Sequence, residues 1–242
     1  LAEDAEGGIW VGSEGGGLDR FDPGSGSFSH HRHSNQSGSL PDDRVQALLI
    51  DRQGTLWVGT WAGLSRRRPG SDHFEPVFSN HVVSGGASLA GRIVQALYQA
   101  SDGRIWVGTQ QGDLAIIDPA TTEGLLLQDH APGTANHGAV SSLFEAPGGQ
   151  IWVGRSSGIE LYHVRNGRLV QRLQQDLRKR TGLAANEVTT LIRDHAGLIW
   201  VGGFGLGLQR HDPNNRSIWL RGADLQPDSP FAEADVRSIL QL

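Results

Sequence analysis

The apolar and polar positions of this chain repeat with a long period. The triplet Trp-Val-Gly occurs five times, with neighbouring copies about 46 to 49 residues apart. Ile or Leu precedes each Trp, and a Gly stands three residues before it and two residues after it. The five tryptophans are Trp10, Trp57, Trp106, Trp152 and Trp200. Matches at every offset in all five copies indicate that one structural unit is repeated along the chain.

The second repeat shows what each unit is expected to form. Short, mainly apolar runs predict a first strand over 45–50 and a second over 55–60, and a third is expected over 64–68. A short fourth strand is expected around 73–74. No segment keeps a helical period for long, and the best helical candidate, 169–180, is assigned to a connection between repeats.

The second strand of the unit is apolar on both faces. Trp57 points to one face, whereas Leu56 and Val58 point to the other, because side chains alternate along a strand. A strand that is buried on both faces needs a neighbouring sheet on each side, and blades stacked around an axis supply both. The sequence therefore predicts an all-β protein, a β-propeller of four-stranded antiparallel blades.

We expect a single propeller over residues 1–242. The predicted repeats cover about 1–40, 41–89, 90–138, 139–183 and 184–232, and 233–242 remains beyond them. Leu1–Asp4 match only the end of a first strand and its turn, and Asp235–Ile239 supply the missing beginning. One interpretation is that the C-terminal strand completes the first blade and closes a ring of five, which would remove exposed sheet edges. The other is a longer propeller, with 233–242 as the first strand of a sixth unit.

Composition excludes several classes of function. The net charge of −5 argues against nucleic acid as a main partner, because phosphate binding needs clustered positive charge. The chain has no cysteine, which excludes disulfides and thiolate metal sites. No apolar run is long enough for a membrane span, so no membrane insertion is expected in this segment. The sequence starts at Leu1 without a recognisable signal peptide, and we interpret it as a piece of a longer protein whose targeting signals lie elsewhere.

The repeat resembles a known family. Residues 45–64 read Val-x-x-Leu-x-x-Asp-x-x-Gly-x-Leu-Trp-Val-Gly-Thr-x-x-Gly-Leu, and residues 39–45 resemble the family's connection between blades. The pattern is similar to the regulator propeller repeat of bacterial two-component sensors. The resemblance implies a periplasmic sensor part of a hybrid histidine kinase or diguanylate cyclase, often with seven blades. It also implies a Tyr-rich immunoglobulin-like module, a membrane helix and a cytoplasmic output domain in the parent protein, which would often be dimeric.

One face of the predicted propeller is nominated for binding. The short turns between second and third strands and the segments that lead into the first strands share this face by analogy with other propellers. A mixture of Arg, Gln and aromatic side chains there suits an anionic or sugar-like ligand. The candidate ligand-binding residues are Glu14, Arg44, Trp61, Arg92, Gln110, Gln111, Arg155 and Phe204.

The histidine-rich segment His30-His31-Arg32-His33 is the strongest candidate for a metal site. Alternation would place His31 and His33 on one face of a strand. No third ligand follows at a useful spacing, so an exposed fourth strand is the better interpretation. Neither a metal nor a cofactor is expected.

Three functions are compatible with these observations. The favoured one is a sensor module that binds a small molecule, a glycan or a protein partner and is not itself catalytic. An enzyme of the lyase or glycan-acting type is the alternative. The turns of the nominated face carry no His-x-Glu pair, and both tyrosines, Tyr98 and Tyr162, lie in apolar strands. A protein-interaction scaffold is the third.

Overall fold

The computed structural model describes residues 1–77, 89–127, 138–175, 183–184, 186–204, 207–212 and 217–221. These residues form strands, turns and connecting segments, and five four-stranded antiparallel sheets contain all the named strands. Each sheet is called a blade and numbered along the chain. The fold divides into two compact units: the first spans Leu1–Gln99 and Gly103–Leu127, and the second spans Ala100–Asp102 and Gln128–Leu242.

The first unit contains blades 1 to 3. In blade 1 the strands are β1 (Ala2–Glu3), β2 (Ile9–Gly12), β3 (Leu18–Asp22) and β4 (Ser27–His31). In blade 2 they are β5 (Val45–Ile50), β6 (Leu56–Thr60), β7 (Gly63–Arg67) and β8 (Glu75–Val77). In blade 3 they are β9 (Val94–Gln99), β10 (Ile105–Thr109), β11 (Leu114–Ile117) and β12 (Gly124–Leu126).

The second unit contains blades 4 and 5. Blade 4 comprises β13 (Val140–Ala146), β14 (Gln150–Arg155), β15 (Gly158–His163) and β16 (Leu169–Leu173). Blade 5 comprises β17 (Val188–Arg193), β18 (Ile199–Gly203), β19 (Gly207–Asp212) and β20 (Ser217–Arg221). In all five blades the strands pair in chain order, so each blade is a simple meander.

The tryptophan of the second strand is tied to the turn that precedes it. Asp51 Oδ1 accepts backbone N–H groups from Gln53 and Thr55 within the turn. Its Oδ2 accepts the indole N–H of Trp57 at 2.8 Å. The same indole bond joins Trp10 to Asp4 at 2.9 Å and Trp200 to Asp194 at 2.8 Å. One carboxylate therefore stabilises the turn and satisfies the polar atom of a core side chain.

The glycine of the triplet allows the next blade to approach. A Cβ atom placed on Gly12 would lie 2.5 Å from Val45 Cγ1, and one on Gly59 would lie 2.6 Å from the Val94 backbone oxygen. In the second unit, a Cβ on Gly154 would lie 3.1 Å from Val188 Cγ1. Each Val begins the first strand of the following blade. The Gly and the Val, far apart in sequence, form one packing contact between neighbouring blades.

The third-strand residue that faces the Val of the triplet differs in every blade. The five residues are Asp19, Ser65, Ala115, Glu160 and Gln209. All except Asp19 are buried. Glu160 bonds Arg155 and Arg172 of blade 4, and Gln209 Oε1 accepts the backbone N–H of Ala184, in the connection that leads into blade 5, at 3.2 Å.

The strand prediction is confirmed for the first three strands of the second repeat, within one residue at most ends. The fourth strand begins at Glu75, slightly later than expected. The assignment of 169–180 to a connection between repeats is wrong at its start, because Leu169–Leu173 pair with β15 as the fourth strand of blade 4. Residues 233–242 lie outside the described part of the chain, so closure of the first blade, like the single propeller over 1–242, stays a prediction.

Candidate functional site

The turns between second and third strands lie beside the segments that lead into the first strands. In three blades the residue directly before the first strand accepts a backbone N–H from that turn. The bonds are Trp61 N–H to Arg44 O at 3.1 Å, Gln110 N–H to Ile93 O at 2.9 Å and Ser156 N–H to Ala139 O at 3.1 Å. These turns and lead-in segments are called the turn face of each unit.

Arg44 and Trp61 form one group on the turn face of the first unit. The Arg44 guanidinium carbon lies 4.3 Å from the centre of the Trp61 ring, a cation–π distance. The Asp42 carboxylate accepts hydrogen bonds from Arg44 Nε at 2.7 Å and from Arg44 Nη2 at 2.5 Å. These bonds raise the pKa of Arg44 above its ordinary value. Glu14 is exposed and its backbone pairs with Arg44 across the two blades. Glu14, Arg44 and Trp61 are therefore neighbours on the turn face.

Arg92, Gln110 and Gln111 form a second group in the same unit. Gln111 Oε1 accepts the backbone N–H of Ile93 at 3.1 Å, which fixes its amide beside the start of β9. Arg92 Nε lies 3.3 Å from Asp113 Oδ2. Gln110 is exposed at the turn. Amide and guanidinium donors therefore converge on this turn.

The first unit thus presents two adjacent polar groups. The turn at Trp61-Ala62 reaches towards the segment before β9, because Gly91 donates its backbone N–H to Ala62 O at 3.2 Å. The Arg44–Trp61 group and the Arg92–Gln110–Gln111 group follow one another along the turn face of blades 2 and 3.

Phe204 and Arg155 lie in the second unit and differ in exposure. Phe204 is 40% exposed at the turn after β18. Arg155 is only 2% exposed, and its guanidinium bonds Glu160 at 2.5 Å and the Gly138 carbonyl at 3.1 Å. The expected exposed position of Arg155 is therefore corrected: the side chain is part of the interior of blade 4.

Sequence reasoning missed the charged cluster around Glu160. Its carboxylate accepts from Arg155, from Tyr162 Oη at 2.8 Å and from Arg172 Nε at 2.9 Å. Burial alone would raise the pKa of Glu160, but Arg155 and the hydrogen bonds outweigh it and hold the pKa below its ordinary value. Burial and the Glu160 charge raise the pKa of Tyr162. A visible signal was Arg155 itself, which stands where blades 2 and 3 have Thr60 and Thr109.

The histidines of the candidate metal segment point to separate partners. His30 Nδ1 lies 2.8 Å from Asp19 Oδ1, and His33 Nδ1 lies 2.7 Å from the Leu40 carbonyl. His31 packs between Trp10 and Phe74, with ring centres 5.4 Å apart in each pair. Within the described ranges, no group of three His, Cys, Asp or Glu side chains could hold a metal ion.

Comparison with known sequences identifies the repeat. The sequence profile of the two component regulator propeller family matches residues 39–62, 88–111 and 182–205. These segments contain the second, third and fifth Trp-Val-Gly triplets, with the turn-face residues Arg44, Trp61 and Arg92 among them. Three of the five repeats match the regulator propeller repeat. Among curated proteins, no sequence matches this chain.

Several solved structures share the fold of this chain. The extracellular domain of BT4673 from B. thetaiotaomicron, described as a hybrid two component system, is 22% identical with a TM-score of 0.68. The match covers 89% of this chain and 25% of that domain, so the chain spans about a quarter of its length. PorZ, a surface component of the type-IX secretion system of Porphyromonas gingivalis, is 19% identical with a TM-score of 0.69, covering 93% of this chain and 34% of its own.

An enzyme shares the fold as well. Virginiamycin B lyase from Staphylococcus aureus is 12% identical with a TM-score of 0.65, over 90% of this chain and 67% of the lyase. These likenesses show that the fold is a β-propeller, as predicted from the sequence. None of the described residues forms a helix that is long and apolar enough to cross a membrane.

Proposed function

We propose that this chain is the sensor propeller of a bacterial signal-transduction protein and binds its ligand or partner on the turn face of the first unit. Three repeats match the two component regulator propeller family. BT4673, an extracellular domain of a signalling system, supports an extracytoplasmic location, and we assign the periplasm. The parent protein would carry the kinase or diguanylate cyclase output, and the propeller itself would not catalyse a reaction.

The Arg44–Trp61 pair is the observation that carries this proposal. An Arg stacked on an aromatic ring keeps its donors ordered at little entropic cost, and both side chain types dominate binding energy at interfaces. Arg92, Gln110 and Gln111 add further donors along the same face. This chemistry fits a small molecule or glycan that bears a carboxylate and hydroxyl groups.

The lyase alternative is weaker on the chemistry of the described residues. The sequence contains a single His-x-Glu, at His73-Phe74-Glu75, and it lies at the start of β8 rather than on the turn face. Glu75 accepts from Arg66 Nε at 3.0 Å and from Arg68 Nε at 3.2 Å. These bonds and charges outweigh burial and hold the pKa of Glu75 below its ordinary value. A carboxylate held ionised by two Arg is a poor proton donor.

Calorimetric titration of the chain with a panel of acidic and neutral mono- and disaccharides would test the proposal. The variants are Arg44→Gln and the double variant Gln110→Ala/Gln111→Ala, and Arg165→Gln is the control because Arg165 is exposed in the other unit. For a panel member that binds, we expect about tenfold weaker binding to the Arg44 variant, since a charged hydrogen bond is lost. Binding that all variants retain, or a panel without any binder, would contradict the proposed site.

A further inference from the structure

A polar pocket lies in the first unit, and its lining contains none of the nominated turn-face residues. It has a volume of about 290 Å³, close to the lower end for small-molecule sites. It lies between the end of β4, the connection to blade 2 and the turn before β8. Its lining includes the polar side chains of His31, Arg32, Gln36, Ser37, Asp72 and His73.

The connecting segment that forms one wall is held in place before any ligand binds. His33 donates its backbone N–H to Asp43 Oδ1 at 2.6 Å, and its ring lies 2.7 Å from Leu40 O. Ser39 Oγ donates to Ser34 O at 2.7 Å. Phe74 donates its backbone N–H to Gly38 O at 2.8 Å, which joins this wall to the turn before β8. A preformed wall avoids the entropic cost of ordering a loop on binding.

Hydrogen-bond donors in this pocket remain available. Arg32 uses one nitrogen, Nη1, for Leu18 O, Asp19 and His31 O. Its Nε and Nη2 have no protein partner in the described part of the chain, and a guanidinium carries five donors. The His73 ring and the side chains of Gln36 and Ser37 are likewise without a hydrogen-bond partner among the described residues. Arg32, just after β4, and His73, in the turn before β8, both line this pocket.

The carboxylates near the pocket are already neutralised. Asp19 accepts from Arg32 at 2.7 Å and lies 2.8 Å from His30 Nδ1. Asp72 lies 3.1 Å from Arg67 Nη2. An anion that enters would therefore meet the free donors of Arg32 without an unpaired carboxylate beside it.

We propose that this pocket binds a small hydroxylated oxyanion, a sugar phosphate or a sugar acid. Arg32 and His73 hold the oxyanion, and Gln36 and Ser37 bond the hydroxyl groups. The volume is larger than a bare phosphate requires and leaves room for a carbon skeleton of a few hydroxylated carbons. Neither Arg44 nor Trp61 lines this pocket, so the proposal does not rest on the function proposed above.

The test is calorimetric titration of the whole chain with glucose 6-phosphate, gluconate and glucose, with the His73 ring signal followed by NMR. We expect at least one of the two anions to bind in the millimolar range or tighter and to shift the His73 signal, and glucose to bind far more weakly. The more tightly bound anion identifies the preferred head group. Equal binding of glucose, or no binding by either anion, would overturn the proposal.

Variants locate the bound anion. Arg32→Gln should weaken binding about tenfold through loss of a charged hydrogen bond, and His73→Gln should weaken it less. His163→Gln is the control, because His163 is exposed in the other unit, and Arg44→Gln should leave this binding unchanged. His73 is exposed, and its ring makes no hydrogen bond to any residue that the structure describes. Its variant is therefore expected to fold, which thermal unfolding would verify. Anion affinity that Arg32→Gln and His73→Gln both retain would refute the pocket as the site.

Discussion

At the scale of single residues, the bond between the turn aspartate and the core tryptophan ties the repeat together. Blades 1, 2 and 5 have it, whereas blade 4 has Ala146 in place of the aspartate. The indole nitrogen of Trp152 is buried there and has no hydrogen-bond partner within the described ranges. A buried polar group without a partner costs about 1–3 kcal/mol. The repeat therefore tolerates loss of the carboxylate, but at a measurable cost in stability.

Exchange of this residue in two blades should change stability in opposite directions. Asp51→Ala should lower the free energy of unfolding by about 1–3 kcal/mol, because the Trp57 indole and two turn N–H groups lose their acceptor. Ala146→Asp should raise it by up to about 1 kcal/mol by supplying Trp152 with an acceptor. Urea denaturation measures both. Asp118→Ala is the control, since Asp118 accepts a turn N–H from Ala120; an equal loss in Asp118→Ala and Asp51→Ala would show that the indole bond contributes nothing.

The sequence predicts the turn at the aspartate but not the aspartate's bond to the tryptophan. The sequence Asp-x-x-Gly at 51–54 is typical of a turn, and the bonds of Asp51 to the N–H groups of Gln53 and Thr55 form that turn. Its bond to Trp57 crosses the hairpin, and strand pairing rather than local sequence brings the two side chains together. The constant spacing of six residues in Asp4–Trp10, Asp51–Trp57 and Asp194–Trp200 was the available signal.

At the scale of strands and blades, the Gly of one triplet and the first-strand Val of the next blade determine how closely two blades pack. A Cβ atom placed on Gly12 would lie closest to a side-chain carbon of Val45. A Cβ atom placed on Gly59 would lie closest to the backbone oxygen of Val94. Since a side chain can be shortened and a backbone oxygen cannot, the two contacts should respond differently to the same pair of substitutions.

Double-mutant cycles would measure this difference. Gly12→Ala should cost about 1–3 kcal/mol through overpacking, and Val45→Ala about 2 kcal/mol through lost burial. The double variant should lose less than the sum, because removal of Cγ1 relieves the clash. Gly59→Ala with Val94→Ala is the matched cycle, and there no relief is expected. Additive effects at Gly12 and Val45 would contradict the proposed contact.

The first three strands of a blade were predicted more accurately than the fourth. β5, β6 and β7 are short apolar runs bounded by turn residues, so their pattern is local. The fourth strands β4 and β16 are largely exposed, and their sequences carry no comparable apolar pattern. Leu169–Leu173 become a strand because β15 offers its backbone groups for pairing. The turn-face groups around Arg44 and Arg92 followed from the repeat, but the burial of Arg155 depended on Glu160, whose contacts the sequence did not reveal.

At the scale of the whole molecule, the ionisable groups make the folded state sensitive to acid. Burial raises the pKa of most of the buried carboxyl groups, but bonds to Arg, Trp and backbone N–H groups outweigh it; the pKa of Asp4 falls to about 2. A lowered pKa is present in six further carboxyl groups, namely Asp19, Asp22, Asp42, Glu75, Glu160 and Asp194. Burial, helped by the charge of Arg67, lowers the pKa of His31 below 6.5. In each case the unfolded chain binds protons more readily than the folded one.

Stability should therefore fall in two steps as the pH decreases. The first begins below pH 6.5, where His31 becomes protonated in the unfolded chain but stays neutral in the folded one. The second begins below about pH 4.5, where the carboxyl groups take up protons first in the unfolded chain. Urea midpoints measured between pH 8 and pH 3 would show both steps. His31→Phe keeps the ring between Trp10 and Phe74 and should remove only the first step; a stability that rises on acidification would contradict the assignment.

The third-strand position opposite the Val of each triplet also matters while the chain folds. A protein of similar repeats can join a strand from one repeat to a sheet of another, a known failure of such chains. Glu160 finds Arg155 and Arg172 only within its own blade, and the Gln209 amide finds Ala184 only beside blade 5. A hybrid sheet would leave the buried Glu160 carboxylate or the Gln209 amide oxygen without its hydrogen-bond donor. These two polar side chains therefore favour pairing with the correct neighbouring segments over pairing with similar strands of other repeats.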